Sequence, residues 1–546
     1  MDVDGVIRRY ALINAVEHDG TAQPKSVLGK VLAEHPDLRS RVLEIRSAVE
    51  LVVDDVNRLG IQKQRAELGE LPARAKQEER KGLPELDLTR EKFVVRFAPN
   101  PDGALHLGNA RPAVLSYEYA KKYNGSFILR FDDTDPKVKV PEKQFYEWIR
   151  EDLRWLGIKW TVEMIASKRL PLYYKHAEKL MQLNGAYVCT CGDAWKALRD
   201  QGKACPCRNL EPKAQLKKWK RMLAHKFREG EAVLRIKTDL DAKNPAVRDW
   251  AAFRIVDVPR HPLEKRKKVW PLYNFASAID DYLAKVTHIF RGQEHSTNEV
   301  KQRFLYQHFR WSYPFVITLG RFSLSDMVLS KSTIREGILN HEYNGWTDLR
   351  LGTLRALRRR GFQPEAIRTI VTEIGPKPND ITISLENLAA YNRKIIDKLA
   401  HRYFFIPNPK KIIVGGMKMK SVSVGLHPDK KGNARKFSIT STFYIDLKDF
   451  ERYKSLEIRL KDLCNIKLGE KCEFTSRELK AIPKIQWVPA KHIQVRIFKP
   501  GKEIKGYGET NLLKEKVGAI VQFERFGFVR IEKKGAGSIT AAFAHE

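Results

Sequence analysis

Arg96-Phe97-Ala98-Pro99-Asn100-Pro101-Asp102-Gly103-Ala104-Leu105-His106-Leu107-Gly108-Asn109 is the stretch whose reading decides the fold. It grows out of a short apolar run at residues 93–97, passes a turn rich in Pro and Gly, and enters a helix-compatible segment over residues 107–123. Strand, loop and helix in that order present backbone N–H groups and the positive end of a helix dipole, where phosphate oxygens bind well. His106 and Asn109 can donate hydrogen bonds there. Gly108, without a side chain, lets a flat purine approach the helix backbone. A His beside a helix start is more often a structural cap than a ligand, so this stretch alone fixes no function.

Outward from it the alternation continues. Residues 126–131 read as a second strand and 141–156 as an amphipathic helix. After an interruption the pattern resumes over 270–319, with strands at 286–291 and 315–319. Strands alternating with helices imply a multidomain α/β protein built on a Rossmann-like parallel sheet. The interruption holds Cys189, Cys191, Cys205 and Cys207 and a basic run at 213–226, and reads as an insertion into the sheet domain. Residues 333–399 are mainly helical in pattern. From Tyr403 onward, short strand-like runs at 411–414, 437–445, 493–498 and 519–531 alternate with Gly, Pro and charged turns, which predicts antiparallel β-barrels. Ahead of the sheet, residues 3–71 place Val27, Val31, Ile45, Val49, Val53 and Val56 at helical spacing, and the charged segment 72–88 reads as a linker.

Bulk properties narrow the partner. At one domain per roughly 150 residues, a chain of 546 residues with 42% apolar content predicts three to five units. The formal charge of +34 exceeds what solubility needs. It favours a polyanion, with nucleic acid fitting best, against the blander reading of a surface adapted to unusual salt. Residues 401–546 hold 30 Lys and Arg against 15 Asp and Glu, which concentrates the excess there. No apolar run of about 18 residues occurs, and residues 1–20 lack the apolar core of a signal peptide, so a cytoplasmic protein with no membrane partner is expected. Cysteines clustered in such a chain read as metal ligands before disulfides. Two Cys-x-Cys pairs with thirteen residues between them suit four thiolates around a structural Zn²⁺, with no position left open for catalysis.

A second motif, Val328-Leu329-Ser330-Lys331-Ser332, sets a Lys between two hydroxyls on a loop without Gly, suited to gripping a polyphosphate. In this order and context the two motifs resemble the paired signatures of class I aminoacyl-tRNA synthetases. Leu107 and Asn109 replace the usual Ile and final His of the first, and Val328 and Leu329 the opening Lys and Met of the second. The His, Gly and Lys that the chemistry needs remain. In amino-acid activation the substrate carboxylate attacks the α-phosphate of ATP, so the protein supplies alignment and charge stabilisation rather than a nucleophile. The resemblance makes His106, Asn109 and Lys331 catalytic and adds Gly108 and Ser330 as ATP contacts, with Mg²⁺ accompanying ATP.

It narrows through the residues 96–100, Arg130-Phe131-Asp132-Asp133-Thr134-Asp135-Pro136, Tyr273, and Val286-Thr287-His288-Ile289-Phe290-Arg291-Gly292-Gln293-Glu294-His295. These look like the glutamyl/glutaminyl subgroup, and the match runs over most of the chain from about Val27. A helical N-terminal unit with C-terminal barrels is similar to the archaeal type of glutamyl-tRNA synthetase. The resemblance implies that Arg96 and Asn100 contact the substrate, Asp132 holds its α-ammonium and Tyr273 lines the pocket. Arg291 discriminates, because two guanidinium groups match a γ-carboxylate and are left without their partner by glutamine. An ion pair between Arg291 and Glu294 is the structural alternative.

The implied layout is a helical extension and linker over 1–88, catalytic halves over 89–185 and 269–332, and a zinc-containing acceptor-end insertion over 186–268. A helical connection over 333–400 and an anticodon-binding β region over 401–546 complete it. The implied partners are L-glutamate and tRNA(Glu), with tRNA(Gln) a further candidate, for a monomeric enzyme. A glutaminyl-tRNA synthetase and a nonenzymatic tRNA-binding protein of the same fold are the competing readings.

Overall fold

Five short strands rich in Val, Ile and Phe lie side by side in one parallel sheet. Val94–Phe97 (β1), Ser126–Phe131 (β2), Val162–Ile165 (β3), His288–Gly292 (β4) and Phe315–Leu319 (β5) pair in the order β3-β2-β1-β4-β5 in the computed structural model. Such sheets are covered on both faces, which is why β2 reads Ser-Phe-Ile-Leu-Arg-Phe and buries all but its first residue. Strand order reverses between β1 and β4, and ligands of open α/β sheets bind at the carboxyl ends of the strands at such a reversal.

Helices Leu107–Lys122 (α1) and Lys143–Trp155 (α2) share the core of this sheet, and Tyr273–Leu283 (α3), Ser296–Phe309 (α4) and Lys331–Leu339 (α5) follow later in the chain. Arg111 of α1 is 1% exposed and donates to the carbonyls of Gly320 (2.6 Å), Gly375 (3.1 Å) and Lys377 (2.8 Å). One buried guanidinium thus ties the helix behind the first motif to two distant loops.

The structure describes residues 2–18, 20–35, 38, 42–69, 82–86, 92–430 and 432–546, so the linker expected over 72–88 lies outside the described residues except for 82–86. The chain divides into two units, Met1–Lys81 and Gly82–Glu546. In the first, helices Val3–Glu17, Pro24–Glu34, Val42–Arg58 and Gly60–Leu68 bury Ile7, Val27, Val31, Val49 and Val53 among themselves. Gln64 in that core donates from Nε2 to the carbonyls of Gly20 and Val56, both at 2.9 Å.

In the second unit a four-stranded antiparallel sheet interrupts the alternation, formed in chain order by Ala186–Cys189, Val233–Ile236, Ala251–Ile255 and Val269–Pro271. Its last strand runs past residue 268, the expected end of the insertion. Helices Leu354–Arg360, Pro364–Ile374 and Leu385–Ile396 follow α5, but Ile381–Ile383 pairs in parallel with Phe322–Leu324 inside this helical stretch. Three residues are too few for a period-two signal to emerge from sequence.

The region after residue 400 is β-rich, with two seven-stranded sheets and a hairpin. The expectation of antiparallel barrels is corrected: His492–Lys499 pairs in parallel with Ser538–His545, and Pro409–Gly415 in parallel with Cys472–Ser476. Hairpins are antiparallel because a short turn reverses the chain, whereas these partners are joined by long connections that permit either direction. Among the described residues no helix is long and apolar enough to cross a membrane.

Replacing Arg111 with Met should remove all three bonds and leave the buried Gly320 carbonyl unpaired, while the Gly375 and Lys377 carbonyls keep the Lys377 and Gly320 N–H groups as donors, at a cost on the order of 2 kcal/mol. Thermal melting is expected to show a midpoint several degrees lower, and an unchanged midpoint would show that the guanidinium anchors nothing.

Candidate active site

Arg96, Arg130 and Arg291 stand toward the carboxyl ends of three adjacent strands. Arg96 pairs in register with Ile128 and Val95 with His288, so the period-two alternation of strands puts all three arginines on one face of the sheet. All are buried, at 6%, 1% and 5% exposure. Asp281 of α3 bridges two of them: it accepts from Arg130 NH1 at 2.6 Å and from Arg96 Nε and NH2 at 3.3 and 3.5 Å. Asp132, just past β2, accepts from Arg130 Nε at 2.6 Å and NH2 at 3.3 Å. Burial lifts the Asp281 carboxyl, but the charges of Arg96 and Arg130 outweigh it and hold that group below the usual carboxylate range. At Asp132 burial prevails and the carboxyl is raised in spite of Arg130.

Three guanidinium groups therefore face two carboxylates. Arg291 is the unmatched one. Its NH2 donates to Gln302 Oε1 at 3.1 Å, and Tyr313 donates to the same oxygen at 2.7 Å. Its Nε and NH1 are buried without a hydrogen-bond partner. No ion pair with Glu294 forms among the described residues. Tyr273 opens α3 with its ring 6.1 Å from that of His295, and His295 is pulled below the ordinary imidazole range by burial.

The nucleotide motifs meet on the neighbouring side of this crevice. Lys331 Nζ donates to the Asn100 carbonyl at 3.0 Å and to Asp102 Oδ1 at 2.8 Å. A Cβ on Gly103 would lie 3.2 Å from Lys331 Cδ and 2.6 Å from the Trp346 ring, so the first loop packs directly on the second motif. Burial lowers the Lys331 ammonium although Asp102 opposes it. His106 Nδ1 is buried without a partner, and burial, reinforced by the charge of Lys331, pushes the imidazole down to about 4. Asn109 Oδ1 accepts from the His106 N–H at 3.1 Å. Asn100 donates from Nδ2 to the Lys139 carbonyl at 3.3 Å, while its Oδ1 is buried and unpartnered.

Three details differ from the sequence reading. Lys331 is the first residue of α5 rather than part of a loop, and Ser330 is its N-cap, accepting from the Thr333 N–H at 3.4 Å. The Leu107 N–H at the start of α1 is spent on the Gly352 carbonyl at 3.0 Å, which removes one expected phosphate donor. The space beside Gly108 is filled by the protein, since a Cβ there would lie 2.8 Å from the Phe322 carbonyl and 2.9 Å from the His106 ring.

Sequence reasoning also missed what joins the motifs. Residues 351–354 lie between them, with Leu354 donating to Leu105 (2.8 Å) and Gly352 donating to Val328 (3.0 Å). It missed Asp281, Gln302 and Tyr313 as well. The acidic pair Asp280-Asp281 inside an otherwise apolar helix was a usable signal, whereas nothing local marks Gln302.

In the insertion, Cys189 and Cys205 Sγ lie 3.9 Å apart and Cys191 and Cys207 Sγ 3.7 Å apart. The sulfurs of Cys189, Cys191 and Cys207 all lie within 4.8 Å of one another, and Cys205 joins them through Cys189. Four thiolates at about 2.3 Å from a tetrahedral Zn²⁺ would be about 3.8 Å apart, so these residues fit such an ion. The Thr190 N–H (3.5 Å) and Lys218 Nζ (3.4 Å) donate to Cys207 Sγ, as donors around a bound thiolate do. Cys464 and Cys472 are buried free thiols elsewhere.

Comparison with known proteins gives consistent matches. Family models for class I tRNA synthetases (E and Q) match this chain, the catalytic domain over residues 92–398 and two anti-codon binding domains over 400–482 and 484–532. The glutamate–tRNA ligases of Pyrococcus furiosus and Thermococcus kodakarensis are 50% and 49% identical to it, each over 100% of both chains. Among solved structures, the glutamate-tRNA synthetase of Elizabethkingia anophelis aligns with a TM-score of 0.42 and 24% identity, over 57% of this chain and 72% of that one.

The depressed His106 imidazole predicts a neutral ring through the physiological range. Imidazole NMR of the ligand-free protein should show its midpoint near 4, moving upward when ATP brings negative charge beside it. A midpoint at the ordinary value of about 6.5 would contradict the burial.

Proposed function

The chain belongs to the class I aminoacyl-tRNA synthetases of the glutamate and glutamine subgroup, and on that premise we propose that it is a glutamate–tRNA ligase, attaching L-glutamate to tRNA through a glutamyl-adenylate at the expense of ATP. The observation that carries the amino-acid assignment is the charge of the buried pocket. Arg96, Arg130 and Arg291 outnumber Asp132 and Asp281 by one, and the unmatched guanidinium keeps two N–H groups free. Glutamate brings the missing carboxylate. Glutamine would leave the charge buried without a counter-ion, which specific polar sites reject by several powers of ten.

The residues divide the reaction between them. Arg96 and Arg291 hold the γ-carboxylate, Gln302 and Tyr313 fix the plane of Arg291, and Asp132 with Tyr273 receives the α-ammonium. Asn100 contacts the amino acid from the first loop, and His106, Gly108 and Asn109 line the ATP site, with Ser330 capping the helix that presents Lys331. In the free protein Lys331 is tied to Asp102, and ATP draws its ammonium across to the phosphates. The α-carboxylate oxygen bonds to the α-phosphorus, the bond to the departing pyrophosphate breaks, and Mg²⁺ accompanying ATP offsets phosphate charge. Neutral His106 donates an N–H without placing a second full charge beside Lys331. The terminal tRNA hydroxyl then displaces AMP from the activated carbonyl. The insertion guides the acceptor end, with Cys189, Cys191, Cys205 and Cys207 holding a structural Zn²⁺ that crosslinks it, and the β-rich region binds the anticodon.

Aminoacylation of tRNA(Glu) and tRNA(Gln) by the purified protein, with each amino acid in turn, tests the assignment and settles whether the second tRNA is also charged. For Arg291→Gln, kcat/KM for glutamate should fall by about three orders of magnitude and the preference over glutamine should collapse. Selectivity equal to that of the unaltered protein would refute the pairing. Elemental analysis should find one zinc per chain, lost in Cys189→Ser together with thermal stability. A zinc-free preparation with the same melting point as one supplied with zinc would remove the metal assignment.

A further inference from the structure

A cleft of about 710 Å³ lies away from the amino-acid pocket, lined by arginines from three separate elements. Arg154 comes from α2, Arg355, Arg358 and Arg359 from helix Leu354–Arg360, and Arg530 from strand Gly527–Gly535 of the C-terminal region. Acids answer two of the five. Arg355 pairs with Glu151 at 2.7 Å and Arg359 with Glu532 at 2.6 Å. Arg154, Arg358 and Arg530 have no acidic partner among the described residues, and Arg154 and Arg358 are exposed to solvent.

The surroundings do not cancel this charge. Asp152 lies beneath the cleft with both carboxylate oxygens buried and without hydrogen-bond partners, 3.9 Å from Arg355 NH1. Burial pushes its carboxyl up to about 7, so near neutral pH it is only partly ionised and offsets less than one full charge. Arg530 is lowered by burial, and the charges of Arg358 and Arg359 add to that against Glu532. Like charges held together at such cost, three of the five without a structural counter-ion, mark a place for an anion from outside.

Position selects the anion. Thr347 lines the cleft one residue from Trp346, which packs against Gly103 of the ATP loop, and Arg530 lies within the second anticodon-binding match at 484–532. A tRNA engaged by both ends must cross the seam between those regions. The geometry points to this cleft as a binding site for the phosphodiester backbone of tRNA between its acceptor and anticodon ends, with Arg154 and Arg358 as the contacts to phosphate. Guanidinium groups suit this task because their planar fork bonds two phosphate oxygens at once. No base edge needs to be read, so the contact positions the RNA without adding sequence preference.

The inference rests on the tRNA-ligase reading, and one experiment separates the two. In the full-length protein the double substitution Arg154→Ala, Arg358→Ala removes two exposed side chains that hold no ion pair. The dissociation constant for tRNA(Glu) should rise about tenfold at moderate salt, and the slope of log K against log salt should shrink by about two. KM for glutamate and for ATP, measured at saturating tRNA, should stay as in the unaltered protein. Ethylation interference on the tRNA should show a run of adjacent phosphates that matter to the unaltered protein and no longer to the variant. Unchanged affinity and slope in a variant with normal melting would overturn the site. Displacement of the arginine effect by free tripolyphosphate alone, with no interference run on the RNA, would overturn it in favour of a small-anion site. Failure of the unaltered protein to charge any tRNA would overturn the parent reading instead.

Discussion

A single carboxylate shared by two guanidinium groups organises the amino-acid side of this molecule. Asp281 reaches from α3 to both Arg96 on β1 and Arg130 on β2, and Arg130 in turn holds Asp132. Taking these charges out of water is costly, and each remains only because its neighbours satisfy it. The consequence is directional. Arg130 is locked by protein acids and Arg96 is held only loosely, at 3.3 and 3.5 Å, whereas Arg291 on the next strand is held by the neutral oxygen of Gln302.

Such an arrangement needs a rigid support, and a parallel sheet supplies one. Strand register fixes the three arginines on one face, and the reversal of strand order between β1 and β4 opens the crevice beside them. The same crevice receives the nucleotide loop. Activation joins a carboxylate to a phosphate, and an enzyme that provides neither nucleophile nor covalent intermediate depends on how closely it can set those two ligands side by side.

Much of this was legible in the residues. Four of the five strands, α1 and α2 follow from hydrophobic periodicity, whereas Val162–Ile165 was not expected; His106 and Lys331 stand out through the two motifs, and Arg96 and Arg291 through the family resemblance of the segments that hold them. What the chain hid was long-range. Nothing near Arg96 announces that Asp281, 185 positions later, will bridge it to Arg130, and nothing in a Gln within a helix foretells the orientation of Arg291. Strand direction in the C-terminal sheets escaped for the same reason, since alternation within a strand carries no information about which distant strand it meets. Local chemistry is written in sequence, but pairing is decided by the whole fold.

The segment 351–354 has a mechanical meaning. Its backbone is bonded on one side to the first motif through Leu105 and Leu107 and on the other to Val328 just ahead of the second, and it runs straight into helix Leu354–Arg360. That helix cannot translate along its axis without pulling on both motifs. Backbone bonds of this kind act as a tie rod: the arginine-bearing helix and the two motifs move as one part or not at all.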